Sequence, residues 1–88
     1  MTNPLNELQR LIVEAAADKK AFDIMILDLR NRSDFTDYFM ICSGSSRMQV
    51  QAIVDSILEK VFKSQHKLTA VEGYSVGNWV VVDLGDIV

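Results

Sequence analysis

The segment whose residue types and position could most readily bind a ligand is the run of small residues at positions 43–46, followed by Arg47. It directly precedes a helical pattern, so its backbone N–H groups would lie at a helix N-terminus, where the helix dipole favours an anion. The residues of this candidate phosphate site are Gly44, Ser45, Ser46 and Arg47. We favour the simpler interpretation, a turn whose serines cap the helix. The Gly-x-x-x-x-Gly-Lys pattern of a P-loop does not occur in the sequence.

The pair Gly44-Ser45 also resembles the Gly-Ser that opens nucleotidyltransferase sites. In those enzymes, alternating acids on the next strand hold two metal ions for phosphoryl transfer. The next strand predicted in this chain, at residues 68–71, contains no acid. We therefore expect a related scaffold without catalysis: no catalytic residue, no metal and no cofactor.

The sequence also contains few residues for catalysis or metal binding by cysteine. Cys42 is the only cysteine and His66 the only histidine. Cys42 lies within an apolar strand pattern, which is typical of a buried thiol, and His66 lies at a polar helix end. The pair does not indicate a nucleophile with its base or a four-ligand zinc site. A lone cysteine excludes an internal disulfide and fits a reducing compartment.

Two large aromatic residues near the C-terminus form a different kind of candidate. Tyr74 lies in a glycine-containing turn and Trp79 follows it, and three acids lie nearby: Glu72, Asp83 and Asp86. Aromatic residues at the ends of elements either pack on the rim of a core or anchor an interface. For Trp79 alone, core packing is slightly favoured. The acids make a docking surface for a basic partner the competing interpretation.

The elements that must position these residues follow from periodicity. Asn3 and Pro4 predict a helix start, and apolar spacing continues that helix towards Lys19-Lys20. Buried strands are predicted at 24–29 and 38–42, a long helix from the capping box of Ser46 and Gln49 to residues 63–67, and strands at 68–71 and 79–84. The order is α-β-β-α-β-β. We expect a mixed sheet in which residues 38–71 form a right-handed crossover between parallel strands, followed by a hairpin.

Composition restricts the class of protein further. The 88 residues suffice for one domain, predicted to span 1–88, and 49% of them are hydrophobic. The net charge of −3 argues against sequence-specific or non-specific nucleic-acid binding, which uses a basic face. No membrane span or secretory signal is recognisable, so we expect a cytoplasmic protein without a membrane partner. Residues 85–88 suggest a turn and the start of another strand, hence a chain truncated at its C-terminus.

Two blocks of sequence resemble the ribosomal silencing factor (Iojap-like) family. The first is Thr36-Asp37-Tyr38-Phe39-Met40-Ile41-Cys42-Ser43-Gly44 with Arg47, Gln49-Val50 and Ala52-Ile53. The second is Glu72-Gly73, Trp79-Val80 and Asp83-x-Gly85-Asp86. Together they cover nearly the whole chain in the family's order. Two departures are Leu84, where many members have tyrosine, and the end at Val88, after which the family normally continues.

The resemblance implies a nucleotidyltransferase-like fold without catalytic acids. It also implies binding to ribosomal protein L14 of the large ribosomal subunit, on the face that meets the small subunit. Such binding blocks subunit joining and represses translation under nutrient limitation. Family members also self-associate, which implies a homodimer. The docking residues expected from the second block and its acids are Glu72, Tyr74, Trp79, Asp83 and Asp86.

Two other functions remain open from the residues alone. One is a phosphate- or nucleotide-binding domain that uses residues 43–47. The other is a divergent nucleotidyltransferase whose metal-binding acids come from a partner.

Overall fold

The computed structural model describes residues 4–32, 34 and 36–88. Its elements are α1 (Pro4–Asp18), β1 (Phe22–Asp28), β2 (Tyr38–Ser43), α2 (Arg47–Lys63), β3 (Ala70–Glu72) and β4 (Val81–Asp83). The predicted α/β class and the α-β-β-α-β-β order are confirmed. The predicted cap at Asn3 lies outside the described residues.

The apolar stripes of the two helices meet in the core. Ala15 and Ala16 of α1 are completely buried, and such small side chains allow close approach of a second helix. The hydroxyl of Ser56 in α2 donates a hydrogen bond of 3.0 Å to the carbonyl of Ala15, which satisfies a buried polar group at this contact. The buried cluster comprises Leu8, Ile12, Ala15, Ala16, Ile53, Ile57, Val61 and Ile87. Every member of this cluster except Ile87 lies on one of the two helices.

Both helices end without glycine, in left-handed turns. Lys20 has a φ of 62°, and the amide of Ala21 donates back to the carbonyl of Ala16. Gln65, with a φ of 64°, has the same conformation after α2, and the amide of His66 donates to the carbonyl of Val61. These bonds satisfy carbonyls that the helix itself leaves unpaired. The predicted end of α2 within residues 63–67 is confirmed.

The sheet differs from the prediction. The strands form two separate antiparallel pairs, β1–β2 and β3–β4, instead of one mixed sheet. The parallel neighbour of β2 is Ile87 and not the strand that follows α2. The reason is local: β3 pairs with β4 in a hairpin, and a turn at Gly85 then brings the chain alongside β2, where the amide of Val88 donates to Tyr38 at 3.0 Å. The turn predicted within residues 85–88 is observed at Gly85, whereas the predicted strand start is only an isolated parallel bridge between Ile87 and Tyr38.

The first two strands are also less buried than their apolar runs suggested. Each has one face towards the helices, from which Ile24, Met40 and Cys42 pack against the core. The register places the other face outwards, with four exposed side chains: Met25, Leu27, Phe39 and Ile41. A nearly continuous apolar run is typical of a strand covered on both faces, but here it belongs to a sheet with one open face.

Candidate docking surface around Trp79

The loop between β3 and β4 has a shape that only its two glycines permit. Gly73 and Gly77 have φ angles of 83° and 77°, in the region that other residues rarely adopt. The amide of Gly77 donates to the carbonyl of Gly73 at 3.0 Å and closes the turn. A Cβ at Gly73 would collide with the carbonyl oxygen of Trp79, so the chain returns past this glycine at very close range. Trp79 therefore lies at the end of a tight turn.

Trp79 is 85% exposed. The sequence slightly favoured a core role for this residue, and the exposure of its side chain shows that this expectation is wrong. The sequence also placed it in a strand, which is wrong because β4 begins only at Val81. The loop contacts α2 through Tyr74 and Gly77 and leaves the indole largely uncovered. Burying this side chain against a partner would remove about 150–250 Å² from water, worth on the order of 4 kcal/mol before the costs of association.

Tyr74 lies in the same turn, as predicted, but its contacts are with α2. Its hydroxyl donates to Oδ1 of Asp55 at 2.8 Å, and its carbonyl accepts from Nε2 of Gln51 at 2.8 Å. The bond to Asp55 raises the pKa of the Tyr74 phenol above its ordinary value, and burial adds to the effect. Tyr74 therefore connects the loop to the helix, while Trp79 is its freely presented aromatic group.

The three predicted acids are only partly brought together. Glu72 is paired with Val81, and Ala70 with Asp83, so Glu72 and Asp83 lie on one face of the hairpin. Oδ1 of Asp83 accepts from the amide of Gly85 at 2.8 Å and so also shapes the turn after β4. Asp86 lies beyond that turn. Among the described residues, these three acids form no ion pair, so their charges remain available.

An apolar cleft of about 660 Å³ adjoins this hairpin. Its walls come from β2, α2 and β4, and Trp79 lies at its lining together with Val80 and Val81. The docking candidate thus combines an exposed indole, an apolar recess and two acids on the same hairpin.

The predicted anion site at residues 43–47 is occupied by the protein itself. Ser46 is the N-cap of α2, and its hydroxyl accepts from the amide of Gln49 at 3.1 Å. Oε1 of Gln49 accepts from both the amide and the hydroxyl of Ser45, where an anion would bind. Its Nε2 donates to the carbonyls of Lys19 and Lys20 at 3.0 and 3.1 Å. The geometry favours capping, as the sequence did.

The other two members of that site also have structural contacts. A Cβ at Gly44 would lie 3.1 Å from Cγ2 of Val50, so this glycine allows β2 to turn closely onto α2. The aliphatic part of Arg47 lies against Gly77.

Cys42 and His66 are not partners. Cys42 lines the cleft beside β2, whereas His66 lines a separate recess at the end of α2. Burial raises the pKa of the Cys42 thiol, which disfavours the nucleophilic thiolate. Within the described residues, no three His, Cys, Asp or Glu side chains are grouped to hold a metal ion. No described helix has the length and apolarity to cross a bilayer.

Sequence reasoning missed the helix residues that contact the loop. Gln51 and Asp55 were not singled out, although their spacing from Arg47 places all three on one face of α2. That polar stripe was the available signal.

Comparison with known proteins identifies the class of chain. Residues 2–88 match the family model described as "Ribosomal silencing factor during starvation". The chain belongs to this family, and the sequence resemblance is confirmed.

Individual relatives agree with this assignment. The ribosomal silencing factor RsfS of Bacillus subtilis is 42% identical over 86 residues, which are 96% of this chain and 73% of the relative. A crystal structure of a Bacillus halodurans protein superposes with a TM-score of 0.88 at 38% identity, covering 93% of this chain and 76% of that one. A Chromobacterium violaceum crystal structure gives a TM-score of 0.93 at 30% identity, covering 97% and 71%.

Proposed function

We propose that this protein is a cytoplasmic, non-enzymatic repressor of translation. It binds ribosomal protein L14 on the large ribosomal subunit and blocks joining of the small subunit under nutrient limitation. Membership of the silencing factor family supports a regulatory role, and the resemblance of the second sequence block supports the partner. No cofactor or metal takes part.

The observation that carries the proposal is the setting of Trp79: this residue is 85% exposed, α2 holds its loop through Tyr74, and its hairpin carries Glu72 and Asp83. Exposed tryptophan beside an apolar recess is the composition of an interface core, and hot spots are enriched in this residue. Glu72 and Asp83 on the same hairpin provide the negative rim that a basic ribosomal protein would complement. Asp86 extends this negative charge beyond the Gly85 turn.

The direct test is co-sedimentation of the purified chain with isolated subunits. We expect it to pellet with large subunits and not with small ones, and purified ribosomal protein L14 to compete for it. Equal binding to both subunits, or large-subunit binding that L14 does not affect, would refute the proposed partner.

Self-association is a second part of the proposal, because the family resemblance implies a homodimer. The open face of the first sheet supports it, since contiguous exposed apolar surface commonly marks an association site. Sedimentation velocity over a concentration series should show weak dimerisation, and Leu27→Lys should reduce it. A strict monomer at all concentrations would contradict this part.

A phosphate- or nucleotide-binding role for residues 43–47 has less support, because Gln49 already satisfies the amide and hydroxyl of Ser45. An NMR titration with nucleotides separates the two functions. We expect no saturable shifts from Gly44 to Arg47; saturable shifts there would favour the nucleotide-binding alternative.

A further inference from the structure

Three side chains on one face of α2 contact the loop that presents Trp79. Arg47, Gln51 and Asp55 follow one another at intervals of four residues, which places them on the same side of the helix. None of them belongs to the buried set of α2. Their outward position makes them available to the loop.

Each of the three makes a different kind of contact. The amide of Gln51 holds the main chain of the loop through the carbonyl of Tyr74, and the carboxylate of Asp55 holds the phenol of Tyr74, both at 2.8 Å. The stem of Arg47 lies so close to Gly77 that a Cβ at this glycine would collide with its Cγ. The loop, residues 73–80, is therefore held near its start and at its centre.

These contacts matter because the side chain of Trp79 is itself largely uncovered. Gly77 is buried against α2, yet Trp79, two residues later, is 85% exposed. A loop that moves must be ordered when it binds, and this ordering reduces affinity. A loop already held on a rigid helix avoids that loss.

We propose that Arg47, Gln51 and Asp55 form a clamp that holds the Trp79 loop in its docking conformation. They are positioning residues that act through Tyr74 and Gly77 and need not touch the partner. The inference rests on the proposed docking function, but the clamp exists in the free protein and can be measured there.

Trp79 is the only tryptophan, so its fluorescence reports on the loop alone. Time-resolved anisotropy should show faster local motion of the indole in Asp55→Ala and in Tyr74→Phe, each of which removes the same hydrogen bond. Asp55→Asn retains an acceptor oxygen and should behave like the parent. The double variant should be no looser than either single variant, because the two changes remove one interaction.

Binding to large subunits completes the test. Asp55→Ala and Tyr74→Phe should weaken it about fivefold, the effect of a typical net hydrogen bond, and Asp55→Asn should restore it. Unchanged indole motion in both single variants would overturn the clamp. Loosened motion with parental affinity would overturn its role in docking. If the parent itself failed to bind large subunits, the proposed function would fail, while the anisotropy result would still decide whether the clamp exists.

Discussion

Trp79 and Phe62 are equally exposed, at 85% each, yet the structure surrounds them very differently. Trp79 follows a turn that two glycines shape and that α2 holds through Tyr74. Phe62 lies in the last turn of α2 beside the recess lined by His66 and Leu68. Its neighbour Lys63 forms an ion pair with Glu59 on the helix surface. Exposure alone therefore does not separate the two residues; the held loop and the acidic hairpin do, and the proposed docking role of Trp79 rests on that difference.

The largest expected difference between these two residues is in affinity. Trp79→Ala should weaken binding to the large subunit by about 2 kcal/mol or more, about 30-fold, as is usual for a central aromatic anchor. Phe62→Ala removes an equally exposed ring and should leave affinity unchanged. Equilibrium binding of the two variants, with circular dichroism to confirm folding, provides the measurement. Equal losses would remove the distinction; in that case residues 30–37 become the next surface to test.

A change within the turn should have a smaller effect, on stability. Gly77→Ala must adopt a positive φ and also displace Arg47, so it should cost about 2 kcal/mol. Gly85→Ala is the matched control: its φ of 86° is similar, but a Cβ there would lie 3.9 Å from Oγ1 of Thr69, so it should cost only about 1 kcal/mol. Urea unfolding measures both. Equal costs would mean that the contact with Arg47 contributes nothing.

Charge reversal should act mainly on the rate of association. Asp83→Lys should slow binding several-fold and reduce its dependence on salt, as charges at an interface rim do. Because Asp83 also bonds to Gly85, Glu72→Lys on the same face is the cleaner variant. Glu59→Lys, near Phe62, should leave the rate unchanged. The measurement is stopped-flow association at several salt concentrations. If all three variants slowed association alike, the effect would come from net charge and not from the acids of this hairpin.

The smallest effect is a loosening of the loop at alkaline pH. Bonding to Asp55 raises the pKa of Tyr74 above the ordinary 10.0. A raised pKa means that this contribution to loop stability is complete below the ordinary pKa and is lost as the pH rises through the folded value. The anisotropy of Trp79 should fall in that window in the parent. Tyr74→Phe should show no such step, and an identical step in both proteins would assign it to another group.

Sequence periodicity predicted the helices and the element order, because the burial of helix faces repeats along the chain. It also identified Ser46 as a cap, since that contact is local. The pairing of β2 with Ile87 was not predicted, because strand neighbours depend on how a hairpin and a turn redirect the chain. The sequence did not predict the exposure of Trp79 for a related reason. Tryptophan is common both in cores and in interfaces, and only the position of the loop decides between these two environments. Leu84, expected from the resemblance to be a departure from the family, packs against the core.

The most direct test of the account is a subunit-joining assay followed by light scattering. Large subunits preincubated with the parent protein or with Phe62→Ala should fail to join small subunits, whereas those preincubated with Trp79→Ala at the same concentration should join normally. Normal joining in the presence of saturating parent protein, or a full block by folded Trp79→Ala, would contradict the claim that this surface silences the ribosome.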